Sequence, residues 1–117
     1  MFRRKKKKRQ STEKKHNVYV IELDEAVLRK KKFLDANPHY RGKKGCLYVG
    51  MTGLSPAERF EQHKRGYKSG KFVEEFGLRL RPDLYKGKNP MTYEKACKME
   101  PKLARKLRKK GYAVWQN

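Results

Sequence analysis

The sequence has few strong apolar side chains, few acidic residues and no long apolar run. Leu, Ile, Val and Phe make up just under a fifth of the 117 residues, which with a high net charge is typical of disorder. No apolar stretch approaches the ~18 residues of a membrane-spanning helix, which excludes a membrane protein. No apolar stretch of roughly 7–15 residues follows the basic N-terminus, so we expect no secretory signal. We expect an intracellular protein, cytoplasmic or nucleoid-associated, or nuclear in a eukaryote.

Cysteine is also scarce. The two cysteines, Cys46 and Cys97, stand far apart, and neither has a CxxC or histidine-bearing spacing around it. A zinc site needs more ligands than this pattern offers. We therefore expect free, partly buried thiols in a reducing compartment.

Basic residues, by contrast, are abundant. Lys and Arg number 33 against 12 Asp and Glu, which gives a formal net charge of +21. A small acidic substrate would not need so much charge, whereas a polyanion would, so nucleic acid is the expected partner. The length of the chain is that of a single domain.

Much of this charge lies in a basic arm, residues 1–17, with nine Lys or Arg against one Glu and a net charge of +8. Seven like charges in a row repel one another and leave nothing to bury, so we expect a disordered arm. The arm could bind phosphates, act as a localisation signal or keep the protein soluble. We favour phosphate binding, because the remaining residues carry +13 of the same sign. Its expected contacts are Arg3, Arg4, Lys5, Lys6, Lys7, Lys8 and Arg9.

Residues 18–117 keep nearly all of the strong apolar side chains, in segments separated by turn-forming residues, and are expected to fold. Ser55, Pro56 and Glu58 give a helix start with a capping box. The predicted elements are, in chain order, a strand 18–23, a helix 24–37, a strand 46–49, helices 55–65 and 69–76, a strand 78–81 and a helix 92–110, followed by an apolar closing segment 112–115. This order predicts a small α/β or α+β domain.

The last predicted helix carries a carboxylate on its apolar side. Its apolar stripe contains Tyr93, Ala96, Cys97, Leu103, Ala104 and Leu107. Glu100 falls in the middle of that stripe, and an unpaired buried charge costs several kcal/mol. Glu100 therefore needs either a buried arginine partner or a divalent cation such as Mg²⁺, which often takes one or two carboxylates plus phosphate oxygens. Pro101, the next residue, is expected to kink the helix or start a new turn.

Taken singly, the other notable residues have ordinary interpretations. Arg59 and His63 share one helical face, which could be a solvated basic surface. Tyr19 and Tyr48 could be core aromatics. Together, however, Asn17-Val18-Tyr19, Leu47-Tyr48-Val49-Gly50, the Arg59-x3-His63 pair and Glu100 stand in the order of a known set of motifs. On these residues the chain resembles the GIY-YIG nuclease superfamily over about residues 17–117.

The resemblance implies a small three-stranded antiparallel sheet flanked by helices, with the two tyrosines facing a shared cleft. Segment 24–45 is then an inserted helix and loop for substrate recognition. One divalent ion, Mg²⁺ or Mn²⁺, would be held by Glu100, polarise the scissile phosphate and stabilise the leaving oxygen. The nearest match to the family's asparagine beyond this glutamate is Asn117.

The resemblance also implies catalytic roles for four other side chains. Arg59 would pair with the phosphate. Tyr19 and Tyr48 would position and deprotonate the attacking water, and His63 could share the proton transfer. A tyrosine base needs cationic neighbours, for which Arg59, Lys44 and the metal are candidates. Which tyrosine is the base is left open.

Two functions follow from these observations. The first is a metal-dependent endonuclease that hydrolyses DNA phosphodiester bonds. The second is a non-catalytic module on the same fold that binds RNA or a ribonucleoprotein, as the +21 charge and the arm allow. DNA is the favoured partner, RNA is an alternative, and the protein would act as a monomer or a partner-dependent oligomer. Lys44, Lys64 and Arg65 are further predicted nucleic-acid contacts.

Overall fold

The computed structural model describes residues 13–116, so the predicted contacts at residues 3–9 and the predicted Asn117 site lie outside the described residues. Ten elements follow one another along the chain. They are β1 (Asn17–Leu23), a 3₁₀ helix (Glu25–Arg29), α1 (Lys31–Asp35), β2 (Cys46–Thr52), α2 (Pro56–Lys64), α3 (Lys71–Phe76), β3 (Gly77–Leu80), a second 3₁₀ helix (Pro82–Leu84), α4 (Tyr93–Lys109) and β4 (Ala113–Gln116). Of the α/β and α+β classes that the element order allowed, the fold is α+β.

The strands form one sheet in the order β3-β1-β2-β4. β1 pairs antiparallel with both β2 and β3, whereas β4 pairs parallel with β2. The predicted three-stranded antiparallel sheet is therefore wrong in strand number and direction, because the closing segment adds a fourth, parallel strand. Ala113 and Val114 are fully buried there. Helix α4 supplies the crossover that a parallel connection needs.

The sheet begins at Asn17, and His16 forms a bridge with Met91, so ordered structure reaches into the segment that the charge pattern assigned to the arm. The predicted helix 24–37 is instead two short helices that meet at Lys30, whose backbone is extended. Val27 and Phe33 are both fully buried. Residues six apart on a continuous α-helix point about 120° apart, so the break allows both side chains to face the core.

Two of the predicted helix starts are confirmed. Ser55 Oγ accepts from the Glu58 N–H and the Glu58 carboxylate accepts from the Ser55 N–H, both at 3.1 Å, which completes the capping box of α2. Thr92 Oγ1 accepts from the Lys95 N–H at 3.1 Å and caps α4. The short helix α3 begins at Lys71 after an N-cap at Gly70, slightly later than predicted.

Helix α4 runs unbroken from Tyr93 to Lys109 with Pro101 inside it, so a new helix does not start there. Its buried residues are Ala96, Glu100, Leu103, Ala104 and Leu107. Tyr93 and Cys97 are exposed, so their predicted place in the core is wrong. Tyr93 begins the helix at the margin of the sheet, where its ring meets that of His16 at 5.1 Å. The other thiol, Cys46, is buried on β2, so neither cysteine is partly buried as predicted.

A search of residues 13–116 for a helix with the length and apolarity to cross a membrane finds none.

Candidate active site

The rings of Tyr19 on β1 and Tyr48 on β2 lie together over the centre of the sheet, with centroids 6.1 Å apart. Tyr19 pairs directly with Gly50 across the two strands. A Cβ at residue 50 would lie 2.6 Å from the Tyr19 hydroxyl oxygen, far inside van der Waals contact. The glycine of the Tyr-Val-Gly sequence therefore leaves the space that the Tyr19 side chain occupies.

His63 on α2 is the third ring of this group. Its Nε2 lies 2.8 Å from the Tyr19 hydroxyl oxygen, and its Nδ1 lies 2.8 Å from Ser69 Oγ. The Ser69 hydroxyl donates to the Gly70 carbonyl at 3.2 Å, so its oxygen accepts from Nδ1–H. The hydrogen-bond pattern thus assigns the proton of His63 to Nδ1 and leaves Nε2 to accept from Tyr19. We call this chain of Tyr19, His63 and Ser69 the relay.

Arg59 lies one turn before His63 on α2 and is half-buried. Its Nη1 donates to Gln62 Oε1 at 2.9 Å and to the Tyr67 carbonyl at 3.1 Å, and its Nη2 donates to the Lys68 carbonyl at 2.8 Å. A guanidinium has five N–H groups, so these bonds leave two for another acceptor. An arginine held in this way is positioned to bind a phosphate oxygen.

Burial dominates the electrostatics of the three rings. Tyr19, Tyr48 and His63 are only 1–2% exposed. Burial raises the pKa of both tyrosines, while the nearby Arg59 cation opposes that rise. Burial, and then Arg59, lowers the pKa of His63 to about 4. All three side chains are therefore neutral at pH 7 in the free protein.

Glu100 is buried on α4, and among residues 13–116 its carboxylate has no hydrogen-bond or ion-pair partner. The buried arginine partner considered from the sequence is not formed. Loss of solvent raises the pKa of this carboxyl group. The charge of Glu100 in turn raises the pKa of Tyr48, so the carboxylate lies within electrostatic range of that one tyrosine.

Glu100 also suits a hydrated divalent cation. No group of three or more His, Cys, Asp or Glu side chains that could enclose a metal occurs within residues 13–116. Mg²⁺ does not require such a group, because it commonly keeps several waters and takes one or two carboxylates together with substrate phosphates. The Glu100 side chain is mostly buried, yet its oxygens are not among the fully buried atoms of residues 13–116 that lack a partner, so an ion could reach them as a single protein ligand.

Of the predicted site residues, Tyr19, Tyr48 and His63 thus contact one another. Arg59 lies one turn before His63 on α2, and Glu100 lies within electrostatic range of Tyr48. No protein-family model, curated protein or solved structure matches the chain.

The predicted nucleic-acid contacts occupy other positions. Lys64 and Arg65 are exposed at the end of α2, where Lys64 lies 3.9 Å from the Glu61 carboxylate. None of the contacts described for residues 13–116 joins Lys44 to Tyr19 or Tyr48, for which it was a predicted cationic neighbour. Its ammonium group lies instead 5.1 Å from the Tyr112 ring centroid, in a separate cleft.

Two residues of the site were missed by the sequence analysis. Ser69 was placed at the start of a helix, whereas it lies in the preceding loop and contacts His63. The Asn89 side chain donates to the Val18 carbonyl and accepts from the Val18 N–H, both at 2.8 Å. This contact fixes β1 at the residue before Tyr19. Neither residue belongs to a motif, so only their spatial contacts reveal them.

Proposed function

We propose that this domain is a metal-dependent endonuclease of the GIY-YIG type that hydrolyses phosphodiester bonds in DNA. The observation that supports it best is the contact of two tyrosines with a histidine, one helical turn from Arg59 and with Glu100 in electrostatic range of Tyr48. Action on DNA would place the protein inside the cell, at the nucleoid or in a nucleus.

In this proposal Arg59 binds the scissile phosphate. Its two unused N–H groups would donate to phosphate oxygens, and they would strengthen their hold as negative charge builds in the transition state. The carbonyls of Tyr67 and Lys68 hold the guanidinium in place before substrate arrives. A divalent ion on Glu100, when bound, supplies charge neutralisation at the phosphate and the leaving oxygen.

The relay supplies the proton acceptor. A water molecule gives its proton to the Tyr19 hydroxyl oxygen while the Tyr19 proton passes to His63 Nε2, and the resulting hydroxide attacks phosphorus as the bond to the leaving oxygen breaks. Neither a free tyrosinate nor a free imidazolium forms beforehand, in keeping with the raised pKa of Tyr19 and the lowered pKa of His63. The negative phosphate would favour the imidazolium that this transfer produces. Tyr19 is thus the tyrosine in the proton path, and Tyr48 positions the water.

The test is nicking or linearisation of supercoiled plasmid by the full chain with Mg²⁺ or Mn²⁺. We expect Glu100→Ala, Arg59→Ala and His63→Ala to lose cleavage while they still bind DNA. Exposed residues of two of these types provide matched controls, namely Glu94→Ala on the first turn of α4 and Arg105→Ala further along the same helix. Cleavage by Glu100→Ala at the wild-type rate would rule out the assigned metal ligand.

The burial of the three rings favours a second candidate. Side chains that are only 1–2% exposed could serve packing alone, in a module that binds RNA or a ribonucleoprotein through its charge. This candidate predicts steeply salt-dependent RNA binding and no cleavage of DNA or RNA with any divalent ion. It also predicts that Arg59→Ala and Glu100→Ala bind as the wild type does.

A further inference from the structure

A cleft of about 470 Å³ lies between the loop that follows α1 and the end of α4. We call it the basic cleft. Its lining contains no Asp or Glu. Six of its residues are cations, Arg41, Lys43 and Lys44 from the loop and Arg108, Lys109 and Lys110 from α4 and its C-cap. Two aromatic side chains, Tyr40 and Tyr112, complete the walls.

A buried polar network holds the two sides of the cleft together. Asn37, only 5% exposed, accepts through Oδ1 from the Val114 N–H at 2.7 Å and from Arg108 Nε at 3.0 Å. Its amide nitrogen donates to the Phe33 carbonyl at 2.9 Å, and Arg108 Nη2 donates to the Val114 carbonyl at 2.8 Å. The loop is therefore tied to both α4 and β4, and the cleft exists before any ligand arrives.

The loop side of the cleft is organised as well. The Tyr40 hydroxyl donates to the Lys44 carbonyl, which closes the turn that presents Arg41 and Lys43. The Lys44 ammonium group lies 5.1 Å from the Tyr112 ring centroid, within the range of a cation–π contact. Lys44 thus spans from one wall of the cleft to the other.

This concentration of one sign of charge needs an explanation. Lys109, Lys110 and Arg108 lie at the carboxyl end of α4, where the helix dipole favours cations. The dipole does not account for the three cations on the facing loop. Like charges that line one concave surface repel one another, and a bound polyanion would relieve that repulsion.

We propose that the basic cleft binds the phosphodiester backbone of a nucleic-acid strand. Four residues of chain cannot span more than about 14 Å, so the Lys44 backbone lies within that distance of the Tyr48 backbone. Resting here on the proposed nuclease function, the cleft would hold a part of the substrate strand near the end of β2 that precedes Tyr48.

Two triple variants of equal charge provide the test. The cleft variant replaces Arg41, Lys43 and Lys44 by Gln. The control replaces Lys95, Lys98 and Lys102 by Gln, three exposed cations of α4 outside the cleft. Binding of a labelled DNA oligonucleotide by the full chain is measured in EDTA over a range of salt concentrations, which separates binding from cleavage. The thermal midpoint of each protein is measured with and without the oligonucleotide.

We expect the cleft variant to bind about tenfold more weakly, and its slope of log K against log salt to become shallower by about 0.9 for each lost phosphate contact. The control variant is expected to keep most of the wild-type slope. Without DNA, the cleft variant should have a thermal midpoint no lower than that of the wild type, because the repulsion between the cleft cations is reduced. The oligonucleotide should raise the midpoint of the cleft variant less than it raises that of the wild type. If the cleft variant and the control variant weaken DNA binding equally, binding depends on the overall charge and not on the basic cleft, and the inference is overturned.

Two further outcomes separate the cleft from its alternatives. If polyglutamate of matched charge competes as well as the oligonucleotide, the cleft is a general anion surface and the nucleic-acid assignment is overturned. If DNA binding depends on the basic cleft but the protein cleaves no DNA, the proposed nuclease function is refuted and the proposed binding role of the cleft stands. In an active enzyme the cleft variant should raise KM and leave kcat near the wild-type value.

Discussion

Gly50→Ala tests the arrangement of the tyrosine pair through a single methyl group. The added Cβ would lie 2.6 Å from the Tyr19 hydroxyl oxygen, 2.7 Å from Tyr19 Cζ and 3.1 Å from Tyr48 Cε2. The Tyr19 ring is rigid, buried and bonded to His63, so it can only leave its position by breaking that hydrogen bond. Overpacking costs about 1–3 kcal/mol, and the lost buried hydrogen bond about 1 kcal/mol more.

We therefore expect Gly50→Ala to lower the free energy of unfolding by about 2–4 kcal/mol, and the melting temperature by ~10–20 °C. Urea unfolding followed by far-UV circular dichroism gives the first quantity, and a thermal scan the second. Gly45→Ala is the matched control, because nothing lies within 4 Å of its added Cβ and its φ is not positive. Equal stability of the two variants would refute the packing of Tyr19 against residue 50.

Three other measurements probe the buried groups. Burial and the Arg59 cation lower the pKa of His63 from 6.5 to about 4. As the pH falls from 6.5 to 4, the unfolded chain therefore binds a proton that the folded protein does not, and the free energy of unfolding should fall by up to about 3 kcal/mol. Urea titrations at several pH values measure this loss, which a His63→Gln variant should lack. Asn37→Ala removes the acceptor of the Val114 N–H and should lower the free energy of unfolding by about 2–4 kcal/mol, whereas no change in urea titration would exclude a structural role for the network. Cys97 is exposed, whereas Cys46 is buried and burial raises the pKa of its thiol to about 11. Mass spectrometry should therefore find one thiol label on each native chain and two labels after unfolding. Rapid addition of two labels to the native protein would contradict the burial of Cys46.

The sequence predicted the elements whose signals are local. The capping box at Ser55 and Glu58 depends on side chains three residues apart, and it fixed the start of α2 correctly. The β-branched and aromatic runs placed β1 and β2, and β1 begins within one residue of the prediction. The order of the motifs placed Tyr19, Tyr48 and His63 in one predicted site. The contact of these three rings is therefore the part of the candidate site that could be predicted from the sequence.

The features that were missed depend on tertiary contacts. β4 has four residues, and only its pairing with β2 distinguishes it from a packed tail. The break at Lys30 follows from the need to bury both Val27 and Phe33, which local propensity does not express. Asn37, read from the sequence as the end of a helix, bonds to a residue 77 positions away. No spacing rule connects residues so distant in the chain.

The hydrogen bond between Asn37 and Val114 bears on the order in which the chain folds. The Asn37 side chain joins segments separated by 77 residues, and β4 reaches its place beside β2 only after α4 has crossed the sheet. Contacts of such long sequence separation are slow to form, because a large loop must close before they contribute to stability. Strands β1 and β2, which only residues 24–45 separate, could pair earlier, whereas the basic cleft would be among the last features to appear. A partly folded chain would then have its two candidate catalytic tyrosines in place before the basic cleft could bind a nucleic-acid strand.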